Sequence, residues 1–208
     1  MRIQTPHEEK LNTLSHAVGA LFGIAALVLL LIYNTNKTPY SLFSVWVYGS
    51  SIIVLFTASA LYHWATKPKS KHVFRVLDHI SIYFLIAGTY TPVTLIMLLQ
   101  SKGWLLFWAV WGIAAFGVVL KVFFTGRFNV FSTLLYLVMG WLIVFDFKVL
   151  SQVMDANGIA LLMAGGAAYT LGIVFYAIEK IPYNHVIWHL FVLAGAVFHF
   201  CMIFFYVI

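Results

Sequence analysis

The chain has 208 residues and a formal net charge of +6, and 63% of its residues are hydrophobic while only 9% are charged. This composition excludes a soluble globular protein, because the surface of a soluble domain of this size must remain in contact with water. Apolar runs of about 18 residues or more recur without the alternation that β-barrel strands show. The sequence therefore predicts an all-α integral membrane protein.

Seven apolar segments are long enough to cross a membrane as helices, and the connections between them are short. They cover approximately residues 14–33, 41–64, 76–99, 104–124, 130–150, 158–178 and 185–207. Short connections favour a compact arrangement of neighbouring helices. We therefore expect a seven-transmembrane helix bundle that forms a single membrane domain over residues 1–208.

Lysine and arginine are distributed unequally between the two sides of these spans. The side that holds the N-terminus carries Arg2, Lys10, Lys67, Lys69, Lys71, Arg75, Lys121, Arg127 and Lys180, whereas the other side carries Lys37, Lys102 and Lys148. Basic residues accumulate on the cytoplasmic side of membrane proteins. We therefore expect a cytoplasmic N-terminus and an outside C-terminus in the inner (plasma) membrane, and we interpret the positive charge as a topology signal rather than a nucleic-acid-binding surface.

Several polar side chains lie within the spans, where an ionisable group is costly and points to function by default. On the predicted topology, four different spans carry such groups at the same cytoplasmic depth, namely Asn12 and His16, His63, Asp78 and His79, and His185 and His189. Chance would scatter them over both leaflets. Their common depth predicts a site at the cytoplasmic end of the bundle.

His185 and His189 are four residues apart, so in a helix their imidazoles project from one face about one turn apart. Two histidines with this spacing can bind one zinc ion, and a third ligand must come from another helix. His63 is the first choice because it lies at the right depth, with Ser59 one turn deeper on the same face. Three imidazoles leave one coordination position open, as catalytic zinc sites do.

Structural explanations stay open for several of these residues. A His-x-x-x-His pair by itself is more often not a metal site. Asp78 could form an ion pair with Arg75 or Lys71 at the membrane interface, and His79 could face the lipid headgroups. His199 lies about 15 Å further along the seventh helix than the histidine pair, so we expect a hydrogen-bonded core residue there rather than a catalytic one.

Four motifs occur in order along the chain, on seven spans: Glu9-x-x-Asn12-x-x-x-His16, Ser59-x-x-x-His63, Leu77-Asp78 and His185-x-x-x-His189. Together they resemble the bacterial hemolysin III proteins, within the progestin and adipoQ receptor family. The resemblance covers essentially the whole chain.

The resemblance implies zinc bound near the cytoplasmic face, with His63, His185 and His189 as its ligands. Asp78 would hold or activate the zinc-bound water, and Ser59 would sit beside His63. Four further residues are candidates for contacts that support the ligands, namely Glu9, Asn12, His16 and His79.

The wider superfamily includes alkaline ceramidases, in which this constellation is associated with hydrolysis of lipid amide bonds. We therefore expect a zinc-dependent intramembrane hydrolase of lipid amide (ceramide-like) or ester bonds that contributes to membrane lipid homeostasis. The alternatives are a zinc-stabilised membrane sensor without catalysis and a hemolysin-type cytolytic or channel protein. The expected partner is membrane lipid, with no nucleic acid and no soluble protein. Hormone reception is not expected, because the long N-terminal region of the animal receptors is missing from this chain.

Overall fold

The structure is a computed structural model that describes residues 4–208. Within this range, seven helices are long and apolar enough to cross a membrane. They are α1 (Pro6–Tyr33), α2 (Ser41–Trp64), α3 (Pro68–Met97), α4 (Gly103–Phe124), α5 (Asn129–Val153), α6 (Ala156–Ala177) and α7 (Asn184–Val207). The prediction of an all-α, seven-helix membrane protein is confirmed. The orientation of the helices in the membrane and the assignment of the whole chain to one domain stay predictions.

Two helices begin well before the apolar segments that predict them, α1 at Pro6 and α3 at Pro68. In α1 the start is fixed by a capping box, in which Thr5 accepts the backbone N–H of Glu8 while the Glu8 carboxylate accepts the N–H of Thr5. Proline in the first helical turn supports both starts, because its fixed φ suits a helix and its missing N–H has no intrahelical partner to lose. Hydropathy does not predict these first helical turns because their residues are polar. As a result, Glu9 and Lys71 lie within the helices α1 and α3 and not in the connections before them.

Helix α3 lies at the centre of the bundle. In its most apolar stretch, 78% of the residues are buried inside the protein, compared with 22% in α5 and in α6. Helix α2 packs against α1 on one side and against α3 on the other, α6 packs against α7, and α7 returns to α1. Helices α1, α2, α3 and α7 thus surround one region at the end of the bundle where α1 begins, which we call the amino-terminal end.

Helix α1 approaches α2 closely through Gly19. A Cβ atom at this position would collide with the ring of Phe56, so a larger side chain would have to displace that ring. The same Phe56 ring meets the imidazole of His16 edge-on, with ring centroids 4.9 Å apart. The glycine therefore helps to hold His16 against α2.

Helix α5 is irregular in its middle, where a short 3₁₀ segment (Leu142–Asp146) interrupts it. The Tyr90 hydroxyl from α3 donates a hydrogen bond to the carbonyl of Gly140 and accepts one from the N–H of Ile143. One side chain thereby satisfies both backbone groups beside the interruption, which an apolar environment would otherwise leave unpaired.

Candidate metal centre

Three histidines from two helices meet at the amino-terminal end of the bundle. His63 lies in the last turn of α2, and His185 and His189 lie in the first two turns of α7. One ring nitrogen from each lies within 4.8 Å of the other two. His63 and His189 are buried, and His185 is partly buried. The three residues are close enough to hold one metal ion, and the structure brings His63 together with the histidine pair, while their role as ligands stays a prediction.

Glu9 of α1 orients the His63 ring through a hydrogen bond at Nδ1. Its Oε2 atom lies 2.6 Å from Nδ1 of His63, and its Oε1 atom accepts a hydrogen bond of 2.7 Å from Nζ of Lys71 on α3. A proton on Nδ1 leaves Nε2 as the lone-pair atom of the imidazole. Carboxylates commonly orient metal-binding histidines in this way, so Glu9 occupies the supporting position that its motif implies.

Helix α1 also orients His189. The Nδ1 atom of His189 lies 3.3 Å from the carbonyl of Asn12 and 3.3 Å from the hydroxyl of Ser15. The ring of His16 stacks on the ring of His189, with centroids 3.6 Å apart and planes 9° from parallel. Asn12 and His16 therefore both contact the site, Asn12 through its backbone and His16 through its ring.

A metal ion fits the chemistry of these donors. The Nε2 atom of His63 is buried and has no hydrogen-bond partner among residues 4–208, although an unpaired buried nitrogen of this kind is costly. Glu9 and the Asn12 carbonyl fix the proton on Nδ1 in two of the rings, which leaves the opposite nitrogens free. Three neutral imidazoles are a typical donor set for zinc, and zinc would leave a fourth position open.

Asp78 and Ser59 lie beside the histidines without belonging to the metal group. Both line an internal cavity together with His185 and His189. The Asp78 carboxylate lies 3.9 Å from Nδ1 of His79, and this is its only ion-pair contact in the described part of the chain. The possible pairing of Asp78 with Lys71 is not formed, because Lys71 pairs with Glu9.

The remaining candidate, His79, is buried rather than turned to the headgroups, with 7% of its surface exposed. Its Nδ1 atom donates a hydrogen bond of 2.7 Å to the carbonyl of Arg75, one turn earlier in α3. The hydroxyl of Tyr136 on α5 donates to the carbonyl of His79. His79 also lines the cavity, so it lies on the Asp78 side of the site and not behind a histidine ligand.

The cavity measures about 170 Å³ and runs from the histidines into the middle of the bundle. Its deep part is lined mainly by apolar and aromatic side chains such as Tyr90, Ile143 and Val192, and residues of α5 and α6 form its outer wall. A second, polar cavity reaches His63 and His185 from the amino-terminal end, between Glu9, Lys71 and Glu179. The candidate metal centre therefore lies between a polar entrance and an apolar interior.

His199 lies in the deep part of the cavity and not in the metal group. Its Nε2–H donates to the carbonyl of Leu162 on α6, over 3.2 Å. This hydrogen bond satisfies one ring nitrogen locally, so the interpretation of His199 as a hydrogen-bonded core residue agrees with the structure.

Two lysines have positions that hydropathy does not predict. The sequence indicates for Lys71 only a topology signal or a pairing with Asp78, whereas in the structure Lys71 donates a hydrogen bond to Glu9. Lys121 was counted with the basic residues of the connections, but it lies in the last turn of α4 and is 1% exposed. Hydropathy does not predict the contacts of either lysine. The position of Lys121 inside an apolar segment nevertheless indicates that it is unusual.

The fold and the histidine cluster define a multi-pass membrane protein with a candidate metal centre at one end of its helices. The chain belongs to the haemolysin-III related family, whose pattern matches residues 4–200. It is 43% identical to Hemolysin-3 of Bacillus cereus over 202 residues, which cover 97% of this chain and 92% of that protein.

Similarity extends to a second bacterial protein and to animal proteins. The Hemolysin-3 homolog of Bacillus subtilis (strain 168) is 42% identical over 203 residues, with coverage of 97% of this chain and 95% of that protein. The human monocyte to macrophage differentiation factor is 30% identical over 205 residues, with coverage of 94% and 83%. No solved structure matches the chain.

Proposed function

We propose that this chain is a zinc-dependent intramembrane hydrolase that cleaves amide (ceramide-like) or ester bonds of membrane lipids and so contributes to lipid homeostasis. In this proposal the protein lies in the plasma membrane with its metal centre at the cytoplasmic face. The observation that carries it is the position of the histidine triad, which lies at the head of an apolar cavity beside Asp78 and Ser59.

The cavity suits a lipid chain better than a soluble substrate. Its deep part offers apolar and aromatic side chains, and its outer wall is formed by α5 and α6, the two helices with the smallest buried share. A lipid could therefore enter sideways between them and bring the bond below its headgroup to the histidines. The polar cavity on the other side of His63 and His185 offers a route for water.

The residues around the triad would have different roles in the reaction. When bound, zinc would activate water and polarise a carbonyl group. Asp78, whose carboxylate has no hydrogen bond within residues 4–208, is placed to accept a proton and to pass it to the leaving group. The buried Ser59 hydroxyl would donate a hydrogen bond to the oxygen on which negative charge develops. Glu9 keeps His63 in the tautomer that binds metal.

A zinc-stabilised sensor without catalysis is the second candidate, and one observation favours it. The metal ligands and their partners connect α1, α2, α3 and α7 through Glu9, Lys71 and His189. A bound ion would therefore stabilise the arrangement of four helices even if no bond were cleaved. A cytolytic role draws support only from the names of the Hemolysin-3 relatives.

Metal analysis of the purified full-length protein tests the proposal first, and wild type should contain about one zinc per chain. His185→Ala should lose this zinc, whereas Asp78→Asn should keep it, because Asp78 lies outside the metal group. Release of fatty acid from ceramides and from ester lipids is then measured for wild type and for Asp78→Asn.

Each result separates the candidates. Zinc binding with hydrolysis that Asp78→Asn abolishes supports the enzyme. Zinc binding without hydrolysis of any lipid amide or ester would favour the sensor. Wild type without stoichiometric zinc would contradict both, since both depend on the metal.

A further inference from the structure

Lys121 is a buried cation that the proposed chemistry does not use. It lies in the last turn of α4 and is 1% exposed, which places it among the largest fully buried side chains of the protein. Its ammonium group has no hydrogen bond and no ion pair with any residue in the range 4–208. Lysines near helix ends in membranes normally extend their amines to water, and the burial of Lys121 shows that it does not.

The surroundings of Lys121 make its charge more costly. Arg75 and His79 of α3 interact with it electrostatically, and neither is an anion. Among residues 4–208, the Asp78 carboxylate lies within ion-pair distance of His79, 3.9 Å from its Nδ1 atom, rather than of Lys121. An isolated charge in an apolar interior is strongly unfavourable unless something pairs with it.

The cavity supplies the space in which a partner could bind. Lys121 lines the same cavity as Asp78, His79 and Asn129. The Oδ1 atom of Asn129 is buried and likewise has no hydrogen-bond partner in the described chain. The Lys121 ammonium supplies the charged donor that a phosphate or a carboxylate accepts, and the Asn129 oxygen can accept only from a hydroxyl on the same ligand.

We propose that Lys121 anchors the negatively charged group of an anionic lipid, a phosphate or a carboxylate, whose acyl chain occupies the apolar cavity. The inference deepens the proposed function, because it assumes that the cavity is the lipid site of that function and favours an anionic ester lipid over the uncharged ceramide as its ligand. Lys121 is then a specificity-determining residue, since it would select anionic lipids over neutral ones of the same chain length.

A purely structural role for Lys121 is the competing explanation. A cation in the last turn of a helix is favoured by the partial negative charge of the helix C-terminus. In that case Lys121→Met would lower the thermal stability of the lipid-free protein and leave lipid preference unchanged. If instead Lys121 waits for an anion, the apolar methionine should be at least as stable as the unpaired lysine, because methionine keeps the unbranched stem without the buried charge.

Equilibrium binding to the purified full-length protein tests the proposal without any need for catalysis. The probes are oleoyl lysophosphatidate, oleic acid and the uncharged monooleoylglycerol, which share one acyl chain, with inorganic phosphate as a competitor. We expect wild type to bind at least one of the two anionic lipids at least about tenfold more tightly than monooleoylglycerol, and Lys121→Met to abolish this preference. Lys121→Arg should retain much of it. Lys148→Met, which removes an exposed lysine at the opposite end, should behave as wild type.

The outcomes decide between the sources of the anion. Preference for lysophosphatidate identifies a phosphate headgroup, and preference for oleic acid identifies a carboxylate. Displacement by inorganic phosphate as strong as that by the lipid would overturn the lipid assignment. Equal binding of charged and neutral lipids, or an unchanged preference in Lys121→Met, would overturn the role of Lys121.

Removal of metal by a chelator separates this proposal from the hydrolase. If Lys121 anchors the anion, the charge preference persists in the metal-free protein, even if no lipid is ever cleaved. If the preference disappears with the metal, the metal holds the anion and Lys121 is not the anchor.

Discussion

The two ends of the helix bundle differ in how their buried ionisable side chains are paired. At the end where α1 ends, Asp146 of α5 accepts hydrogen bonds from the Ser101 hydroxyl and from the backbone N–H of Lys102, each over 3.0 Å. The Lys102 ammonium donates a hydrogen bond of 2.9 Å to the carbonyl of Phe145. The carboxylate there is paired by the chain itself, and these contacts fasten α5 to the connection before α4.

At the amino-terminal end, the polar groups are only half paired. Glu9 and the carbonyl of Asn12 satisfy the outer nitrogens of His63 and His189. The inner nitrogen of His63 and the side-chain amide of Asn12 are buried without partners in the described residues. Stability alone explains the pairing of Asp146, whereas the unpaired buried nitrogen of His63 suits a metal ligand.

Loss of a metal ligand should give the largest difference between the two ends. His189→Ala removes one of three donors, so we expect the zinc affinity to fall by more than about 100-fold, beyond the range for outer contacts. Metal content after dialysis measures the change. His199→Ala, which removes a histidine outside the group, should keep its zinc. Stoichiometric zinc in His189→Ala would contradict the triad.

Glu9→Gln should have a smaller effect at the same end. The amide keeps the size of the side chain but loses the charge that faces Nδ1 of His63 and Nζ of Lys71. Loss of such a supporting carboxylate typically weakens metal binding about 10- to 100-fold, which competition with a chelator measures. The exposed Glu179→Gln is the matched control, and an equal loss in both variants would mean that bulk charge matters rather than the contact.

The opposite end should respond in stability and not in metal content. Asp146→Ala leaves the hydroxyl of Ser101 and the N–H of Lys102 without their acceptor, so we expect the free energy of unfolding to fall by roughly 2–3 kcal/mol. Thermal unfolding in detergent gives the shift, with the exposed Lys148→Ala as its control. Zinc content should stay at the wild-type level, and a parallel loss of zinc would show that the two ends are coupled.

His199→Leu should produce the smallest effect. It removes one hydrogen bond to the carbonyl of Leu162, so we expect a change in the free energy of unfolding of about 1 kcal/mol. Zinc content and any lipid hydrolysis should be unchanged, as measured in the same assays. Loss of hydrolysis with normal stability and zinc would instead give His199 a direct part in the chemistry.

Much of the amino-terminal end could be predicted before the structure. The spacing of His185 and His189 fixes their common helix face, and the depth of His63 follows from counting residues along an apolar span. Glu9 was expected near the site only through its motif, and its partner Lys71 was not expected at all. Both contacts depend on α1 and α3 extending beyond their apolar segments, which the capping box of Thr5 and Glu8 and the proline at position 68 decide.

The sequence by itself determined the membrane class, the seven helices and the depth of the histidines, because hydrophobic length and helical rise are local properties of a chain. Only the tertiary structure decided which side chains face one another. It placed Glu9 between His63 and Lys71, opened an apolar cavity behind Asp78, and buried Lys121 in the wall of that cavity. These contacts join helices far apart in the chain, and their geometry depends on the rotation and packing of each helix, which hydropathy does not encode.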